Sequence, residues 1–266
     1  MTATVDAGGI RTHYLEAGTG DPVLMLHGSG PGVSAYANWR LNIDELAKRY
    51  RVLAPDLVGF GDTERPADVH YSLDTWRDHV WAFLDALGLP SVSIGGNSLG
   101  GRIALAMAAQ HPERVDRMVL MGAPGVGMTP TPGLAALRAY RPSEENMREL
   151  LLNCFAVDRS IITDDLVRTR YEASVAPGAF EAYRDMFFSD KHAGSQLGIT
   201  EDEARAIGTR TLLLHGREDV VVPVEVAWNM VRLLPDADLA VFARCGHWTQ
   251  IERADDFNEL VGAFLR

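Results

Sequence analysis

Gly96-Asn97-Ser98-Leu99-Gly100 is the stretch that decides the fold of this 266-residue chain. The residues before it, Ser91–Gly95, have the pattern of a buried strand, and the Ala/Leu/Met-rich residues 101–111 after it have helical spacing. A G-x-S-x-G pattern between a strand and a helix predicts a nucleophile elbow, a sharp turn that exposes the serine hydroxyl. The helix N-terminus stabilises negative charge that forms beside this hydroxyl. The alternative interpretation is an ordinary glycine-rich turn.

Composition and charge narrow the range of functions. The chain has 25 Lys and Arg against 36 Asp and Glu, a net charge of −11 at pH 7. A surface with this charge does not attract nucleic acid, and an anionic substrate needs a local cation in order to bind. The residues after Met1 lack a basic region followed by an apolar one, and no apolar run is long enough for a membrane span. We therefore expect no signal peptide, no nucleic-acid partner and no membrane partner.

The cysteines indicate the compartment. Cys154 and Cys245 have neither the spacing of metal ligands nor the number needed for a disulfide framework. This usage favours a reducing compartment, and we predict a cytoplasmic protein. The sequence has no metal-ligand cluster, phosphate-binding loop or dinucleotide fingerprint, so it implies no cofactor and no metal.

Strand and helix patterns alternate along most of the chain, which predicts a mainly parallel sheet covered by helices. Besides the strand of the elbow, we predict strands at Thr2–Asp6, Ile10–Glu16, Pro22–Leu26, Tyr50–Ala54, Val115–Met121, Thr209–His215 and Asp238–Phe242. Besides the helix of the elbow, we predict helices at Asn38–Arg49, Ser72–Leu87, Val224–Leu234 and Ala254–Arg266.

The alternation stops in the middle of the chain. From about Gly125 to Lys191 there is no strand-like run, and a Pro/Thr-rich stretch at Thr129–Gly133 is followed by helical patterns. These patterns cover Leu134–Tyr140, Ser143–Phe155, Thr163–Ala173 and Phe180–Phe187. We predict that residues 1–124 and 191–266 form an α/β core and that residues 125–190 form a helical cap over its catalytic face.

A serine hydroxyl becomes a good nucleophile when a base takes its proton, and in folds with this elbow the chain order is serine, acid, histidine. Three histidines follow Ser98 far enough along the chain: His192, His215 and His247. His192 lies at the predicted end of the cap, and packing accounts for His215 at a strand end. His247 lies in the loop after the last predicted strand, where the base is expected.

The acid is expected in the loop after the preceding strand, where residues 216–223 contain two neighbouring carboxylates. Asp219 has the usual offset from the glycine, and Glu218 is the alternative. The acid holds the histidine in the correct tautomer and stabilises the imidazolium. A different acid position occurs after an earlier strand in some related folds, but residues 122–125 contain no carboxylate here, which favours Asp219.

The oxyanion that forms in such a reaction needs two backbone N–H donors. We predict that Leu99 supplies one, because it follows the nucleophile directly at the helix start. The glycine-rich loop after His27 supplies the other, and Ser29 is the most suitable residue. The alternative interpretation of His27-Gly28 is a tight turn without a catalytic role.

Three motifs together resemble a known family. They are His27–Gly32 with Asn38 following, Gly96–Gly101, and Gly246-His247-Trp248. They are similar to those of the meta-cleavage product hydrolases, which hydrolyse carbon–carbon bonds in bacterial aromatic degradation. The resemblance continues through Phe155–Ser160 and Leu166–Tyr171 and is strongest to the 2-hydroxymuconate semialdehyde hydrolases, while Gly194–Thr200 matches no motif.

The resemblance implies an α/β-hydrolase fold with a mostly parallel eight-stranded sheet, helices on both faces and a helical cap. It also implies 2-hydroxy-6-oxo-2,4-dienoate substrates, which are cleaved to 2-hydroxypenta-2,4-dienoate and a small carboxylic acid. Arg170 is expected to hold the anionic end of the substrate, because a guanidinium suits planar bidentate recognition. The nearby Arg168 lies on another helix face, and a solvent-exposed arginine is the alternative interpretation for Arg170. The family implies dimers or larger homo-oligomers.

Four further residues are expected to contact the substrate. Asn38 and Asn97 are placed to hydrogen-bond the dienoate head, although each is equally suited to ordering local backbone. Trp248 is expected to form a wall beside His247 or to belong to the core. Phe155 is expected to line the pocket of the departing acyl group.

The implied mechanism has two stages. The dienol first becomes a ketone with a proton on C5, moved by His247 or by ordered water. The C6 ketone is then attacked while Ser29 and Leu99 stabilise the oxyanion, either by Ser98 directly or by a water molecule that Ser98 activates. A carboxylesterase with the same three catalytic residues is the alternative, and a non-catalytic binding protein is a more distant one.

Overall fold

A computed structural model describes residues 1–188 and 198–266, and the strands of these residues form one eight-stranded sheet. The strand order is β1-β2-β4-β3-β5-β6-β7-β8. β2 is antiparallel to β1 and β4, and all other neighbours are parallel, so the predicted mostly parallel sheet is confirmed. The strands are β1 (Thr2–Ala7), β2 (Ile10–Ala17), β3 (Pro22–Leu26), β4 (Arg51–Pro55), β5 (Val92–Asn97), β6 (Val115–Met121), β7 (Arg210–Gly216) and β8 (Ala237–Phe242).

Helices cover both faces of the sheet because its central strands are apolar on both sides. One buried cluster joins Phe83 and Ile103 to the sheet, and a second joins Trp39 and Phe257 to its other face. The helices are α1 (Ala35–Trp39), α2 (Ile43–Leu46), α3 (Leu73–Ala86), α4 (Leu99–Gln110), α5 (Pro132–Ala139), α6 (Glu144–Leu150), α7 (Asp164–Ser174), α8 (Ala179–Phe188), α9 (Glu201–Ala206), α10 (Val224–Leu233), α11 (Thr249–Glu252) and α12 (Ala254–Phe264).

The predicted single helix over Asn38–Arg49 is wrong, because two short helices, α1 and α2, take its place. The first begins earlier than predicted, at Ala35, because the side chain of Ser34 caps its N-terminus. The chain then breaks before α2, where the Asn42 side-chain amide donates to the carbonyl of Gln250 and to Asn258. These contacts with the C-terminal helices outweigh the helical pattern of the segment.

The segment between β6 and β7 contains helices and loops but no strand in the part that the structure describes. It contains α5 to α9, a π-helical turn at Leu151–Phe155 and a 3₁₀ turn at Arg159–Ile161. A buried cluster that includes Leu137, Tyr140 and Trp248 packs this segment against the loops of the core. The predicted limits of the cap, 125 and 190, remain predictions, and His192 and most of the Gly194–Thr200 stretch lie outside the described residues. Within the described ranges, no helix combines the length and apolar character needed to cross a membrane.

Candidate active site

Ser98 occupies the turn between β5 and α4 in a strained conformation, with φ 52° and ψ −115°. Its N–H donates to the carbonyl of Met121 at 2.9 Å, which holds the turn against the neighbouring strand. The elbow fits only because Gly96 and Gly100, two residues before and after Ser98, lack side chains. A Cβ on Gly100 would lie 2.2 Å from the carbonyl oxygen of Leu26, and one on Gly96 would lie 2.6 Å from the backbone of Gly100. A backbone held this way against its preference is typical of a functional position.

The other candidate catalytic residues lie at the same edge of the sheet. The loops that carry Ser29, Asp219 and His247 follow β3, β7 and β8, and Ser98 follows β5. Because parallel strands end at one edge, residues from distant parts of the sequence meet there.

Asp219 and His247 form a buried hydrogen-bonded pair. The Nδ1 atom of His247 lies 2.7 Å from Oδ2 of Asp219, and both side chains are almost fully buried. The other carboxylate oxygen accepts the N–H groups of Val221 and Val222 at 2.8 and 2.9 Å. Burial would raise the pKa of Asp219, but His247 and His215 hold this pKa well below its usual range. The carboxylate therefore stays ionised and fixes the orientation of the imidazole.

The alternative acid and the alternative histidine have other partners. Glu218 bonds to Arg217 and accepts the N–H of Cys245. His215 was expected to serve packing only, yet its Nε2 lies 3.5 Å from Oδ2 of Asp219 and 2.8 Å from the carbonyl oxygen of Val222. It therefore helps to hold the loop that carries the acid.

Two cavities meet at Ser98. The first, called here the inner pocket, has a volume of about 10 Å³ and contains the predicted polar binding residues. Ser98 and His247 both line it, which brings the serine and the histidine to one space. Its lining residues are Gly28, Ser29, Gly30, Val33, Asn38, Asn97, Ser98, Leu137, Phe155, Arg170, His247 and Trp248.

Arg170 is the cation of the inner pocket. Only 4% of its surface is exposed, and its Nε and Nη2 donate to the carbonyl of Pro31 at 3.2 and 2.7 Å. Its guanidinium carbon lies 5.5 Å from the ring centre of Trp248. Among the described residues no carboxylate forms a salt bridge with it, and burial lowers the pKa of Arg170 to about 10. A buried cation without a counter-ion favours an anionic ligand.

The two asparagines differ in their partners. The side-chain amide of Asn97 donates to the carbonyl of Met121 at 3.3 Å, so this residue orders the backbone at the elbow while it lines the pocket. Asn38 is 3% exposed, and its buried Nδ2 has no hydrogen-bond partner among the described residues. Because an unpaired buried amide is unfavourable, Asn38 is the better placed of the two to bind a ligand.

Phe155 and Trp248 form the aromatic wall of the inner pocket. Their rings are stacked, with centres 4.8 Å apart and planes at 14°. Phe155 was expected to line the pocket of the departing acyl group, and this role remains a prediction; in the structure the residue lines the inner pocket with Arg170 and His247. The π-helical turn that follows α6 ends at Phe155, and its wider winding sets the direction of this side chain.

The second cavity, called here the outer pocket, is larger, about 110 Å³, and mainly apolar. Leu99 and Ser29 both line it, and Leu99 is the first residue of α4, so its N–H has no acceptor within the helix. This is the position expected of an oxyanion donor. The outer pocket is lined by Ser29, Tyr71, Leu73, Trp76, Ser98, Leu99, Arg102, Pro124, Leu134, Arg138, Met186, Phe187 and Val222.

Sequence reasoning did not find most of the outer pocket. The signal for Arg102 was present, because it lies one helical turn after Ser98 and therefore on the same face of α4. Tyr71 and Met186 carry no motif, and the fold alone brings them to the site.

Among the described residues, His13, Asp56 and Asp62 are close enough to hold a metal ion, but Asp56 is already hydrogen-bonded to His13 and to two backbone N–H groups.

Comparison with known proteins gives consistent similarities. The family described as alpha/beta hydrolase fold matches residues 21–254. A 2-hydroxymuconate semialdehyde hydrolase of Pseudomonas sp. strain CF600 is 49% identical over 97% of this chain and 92% of its own length. A 2-hydroxy-6-oxo-2,4-heptadienoate hydrolase of Pseudomonas putida is 46% identical over 97% of this chain and 94% of its own. The solved structure of a mutant meta-cleavage product hydrolase from Pseudomonas fluorescens IP01, complexed with acetates, is 50% identical, with a TM-score of 0.95 over 99% of this chain and 97% of that one.

Proposed function

This chain belongs to the meta-cleavage product hydrolases of the α/β-hydrolase fold, and from that premise we propose that it hydrolyses a carbon–carbon bond in a 2-hydroxy-6-oxo-2,4-dienoate. Such substrates come from monocyclic catechols, for example 2-hydroxymuconate semialdehyde or 2-hydroxy-6-oxohepta-2,4-dienoate. The products are 2-hydroxypenta-2,4-dienoate and a small carboxylic acid. The observation that carries the proposal is the buried guanidinium of Arg170, which has no carboxylate partner among the described residues and lies in the same pocket as His247 of the His247–Asp219 pair.

The substrate lies across Ser98 with one end in each pocket. The C1 carboxylate and the C2 oxygen bind Arg170, and the buried amide of Asn38 donates to the same end. Phe155 and Trp248 contact the planar dienoate through their ring faces. The C6 substituent extends into the outer pocket, whose volume of about 110 Å³ accommodates a group of several carbon atoms.

The first stage converts the dienol to its keto form. The O–H proton on C2 leaves and a proton arrives at C5, so the C2 carbonyl can later accept an electron pair. His247 is positioned to move this proton, because Asp219 holds its Nδ1 and leaves Nε2 directed away from that carboxylate. Arg170 stabilises the negative charge on the C2 oxygen during the transfer.

The second stage breaks the bond between C5 and C6. Ser98 Oγ, or a water molecule that it activates, adds to the C6 carbonyl while His247 accepts the proton. The N–H groups of Ser29 and Leu99 stabilise the oxyanion. When the carbonyl re-forms, the electron pair of the C5–C6 bond moves through C4 and C3 to the C2 oxygen, which takes the proton held by His247 and gives the dienol product. Water hydrolyses the acyl-serine if one has formed.

The test is stopped-flow absorbance with 2-hydroxy-6-oxohepta-2,4-dienoate. We expect the wild type to remove the dienolate absorbance rapidly and to release acetate. Ser98→Ala should slow product release by at least roughly 10³-fold. Ser91→Ala is the matched control, because Ser91 lies before β5 and its hydroxyl bonds Asp116.

The rival functions give different outcomes. If the wild type leaves the heptadienoate and its 6-aldehyde and 6-phenyl analogues unchanged but hydrolyses p-nitrophenyl esters, the enzyme is a carboxylesterase. If it binds a dienoate without turnover of any of these compounds, it is a binding protein with this fold.

We also propose that the enzyme acts in the cytoplasm as a homo-oligomer. The two buried, unpaired cysteines support a reducing compartment. The homo-oligomer is what the resemblance to the meta-cleavage product hydrolases implies. Light scattering on the purified protein measures the oligomeric state, and fractionation of the producing cells measures the location.

A further inference from the structure

The outer pocket is mainly apolar but contains two arginines. Arg102 extends from α4 and Arg138 from the last turn of α5, and both line the cavity. An apolar pocket that only had to hold an alkyl or aryl group would gain nothing from a positive charge in its wall, because burial makes a cation less stable.

The guanidinium of Arg102 forms neither a hydrogen bond nor an ion pair with the described part of the chain. Its Nε atom is buried and unpartnered, and burial lowers the pKa of its guanidinium. Asp74 and Glu203 act on it electrostatically only. Asp74 is paired with Arg77 instead, and Glu203 accepts hydrogen bonds from the backbone and side chain of Thr200. The donors of Arg102 are therefore available to a ligand.

The position of Arg102 relates it directly to the reaction. The backbone N–H of Arg102 donates to the carbonyl of Ser98 at 3.0 Å. The Arg102 side chain therefore lies one helical turn from the proposed nucleophile, on the same face of α4. One turn corresponds to about 5.4 Å along the helix axis, the length of a short carbon chain. A group attached to C6 of the substrate reaches this arginine after about two or three further carbon atoms.

We propose that Arg102 determines the specificity of the outer pocket by binding a carboxylate at the end of the C6 substituent, with Arg138 as a second cation. The substrate class is then a dicarboxylate, a 2-hydroxy-6-oxo-dienoate with a short, acid-terminated chain on C6. This inference rests on the proposed function. It gives the site a cation at each end, Arg170 for the C1 carboxylate and Arg102 for the distal one.

A matched pair of substrates tests it. 2-Hydroxy-6-oxonona-2,4-dienedioate carries a carboxyethyl group on C6, and 2-hydroxy-6-oxonona-2,4-dienoate carries a propyl group of equal length. We expect the wild type to have the higher kcat/KM with the dioate. Arg102→Met should lower kcat/KM for the dioate by roughly 10- to 100-fold and leave the propyl substrate unchanged or improved. Arg102→Lys should retain part of the preference.

Two controls separate this inference from general effects. Arg168→Met removes an exposed arginine of α7 that pairs with Asp165, and it should leave the ratio of the two kcat/KM values unchanged. Inhibition of the wild type by succinate and by butyrate, the acids released from the two substrates, needs no variant. We expect succinate to inhibit more strongly.

The outcomes are distinct. Equal kcat/KM ratios in the wild type and Arg102→Met, or equal inhibition by the two acids, would overturn the role of Arg102 while leaving C–C hydrolysis intact. Turnover of the heptadienoate but of neither nonadienoate would also overturn this inference alone, whereas turnover of none of the three dienoates would overturn the proposed function itself.

Discussion

The inner and outer pockets share Ser98 and Ser29 but are built differently. The inner pocket is about 10 Å³ and brings together a cation, two amides and a stacked aromatic pair, all from residues that are mostly buried. The outer pocket is about 110 Å³, and aromatic and aliphatic side chains form most of its wall. The inner pocket therefore suits one fixed chemical group, whereas the outer pocket suits groups that vary in size.

The two pockets therefore have different tasks. The inner pocket binds the part that all dienoate substrates share, and the outer pocket accepts the C6 substituent, which varies among them. In the inner pocket each polar group has a defined direction, so a small displacement removes a hydrogen bond. In the outer pocket contact is mainly apolar, and a change of one methylene changes binding by about 1–3 kcal/mol. We expect substitutions in the inner pocket to affect all dienoates equally and substitutions in the outer pocket to change the order of preference among them.

The largest effect is expected at Asp219, because every substrate depends on this acid, whichever group occupies the outer pocket. Asp219→Asn replaces the ionised partner of His247 and favours the wrong tautomer, so kcat should fall by roughly 10³- to 10⁴-fold for every C6 substituent. Steady-state kinetics with the methyl and phenyl substrates measures this. Glu218→Gln, which changes the neighbouring carboxylate, should keep nearly full activity. A loss that depends strongly on the substituent would contradict a shared role.

Arg170→Met changes the inner pocket alone. We expect kcat/KM for dienoates to fall on the order of 10²-fold, because the carboxylate loses charged hydrogen bonds. Hydrolysis of p-nitrophenyl acetate, which has no carboxylate, should change much less. The thermal midpoint should change little, because the loss of two hydrogen bonds to the carbonyl of Pro31 is offset by the removal of a buried cation that has no carboxylate partner among the described residues. A large loss with the ester would show that Arg170 supports the structure instead of the substrate.

Substitution of two leucines of α5 allows a direct comparison of the pockets, because Leu134 lines the outer pocket and Leu137 lines the inner one. Leu134→Ala should enlarge the outer pocket and raise the ratio of kcat/KM for the 6-phenyl to the 6-methyl substrate by roughly tenfold. Leu137→Ala should leave that ratio unchanged while it lowers stability by about 2–5 kcal/mol, as expected for a buried leucine. Kinetics on both substrates and thermal unfolding test the pair.

The smallest effect is expected outside both pockets, directly after β4, where Asp56 accepts hydrogen bonds from His13 and from the N–H of Ala35 in α1. Asp56 raises the pKa of His13 above 6.5, so this stabilisation is present below pH 6.5 and is lost as the pH rises through the folded value. Burial alone would raise the pKa of Asp56, but His13 helps to hold this pKa below 3.8. The stability that the Asp56 carboxylate contributes is therefore lost only in strong acid.

His13→Gln should therefore lower stability by about 1 kcal/mol near pH 5.5 and by less near pH 9. Thermal unfolding at the two pH values measures the difference. His111→Gln is the control, because His111 is 44% exposed at the side chain and pairs with an exposed glutamate. An equal loss at both pH values would mean that His13 stabilises the fold by packing.

The sequence predicted the catalytic edge because its residues lie in loops that directly follow apolar strands. Once the strands are known to be parallel, chain order is enough to bring Ser98, Asp219 and His247 to the same edge. The α/β-hydrolase fold was predictable for the same reason, and the comparisons with known proteins confirm it. The triad roles remain predictions, and the geometry of the Asp219–His247 pair supports them.

The parts that could not be predicted depend on contacts between distant segments. The break between α1 and α2 is held by residues more than 200 positions away, so no local pattern contains it. The outer pocket is assembled from α3, α4, α5 and α8, and its shape follows from how the helical segment packs on the core. The π-helical turn at Leu151–Phe155 was predicted as the end of an α-helix, because the two kinds of helix look alike in sequence.

That π-helical turn, Leu151–Phe155, also limits how this protein tolerates insertions and deletions. The carbonyl of Phe155 at its end accepts the N–H of Trp248 at 3.1 Å, next to His247. Loss of a single residue would restore ordinary α-helical winding and turn everything after it by about 100°. Insertions and deletions among related chains should therefore occur elsewhere in the helical segment. They should avoid this turn, which joins that segment to the loop of Trp248.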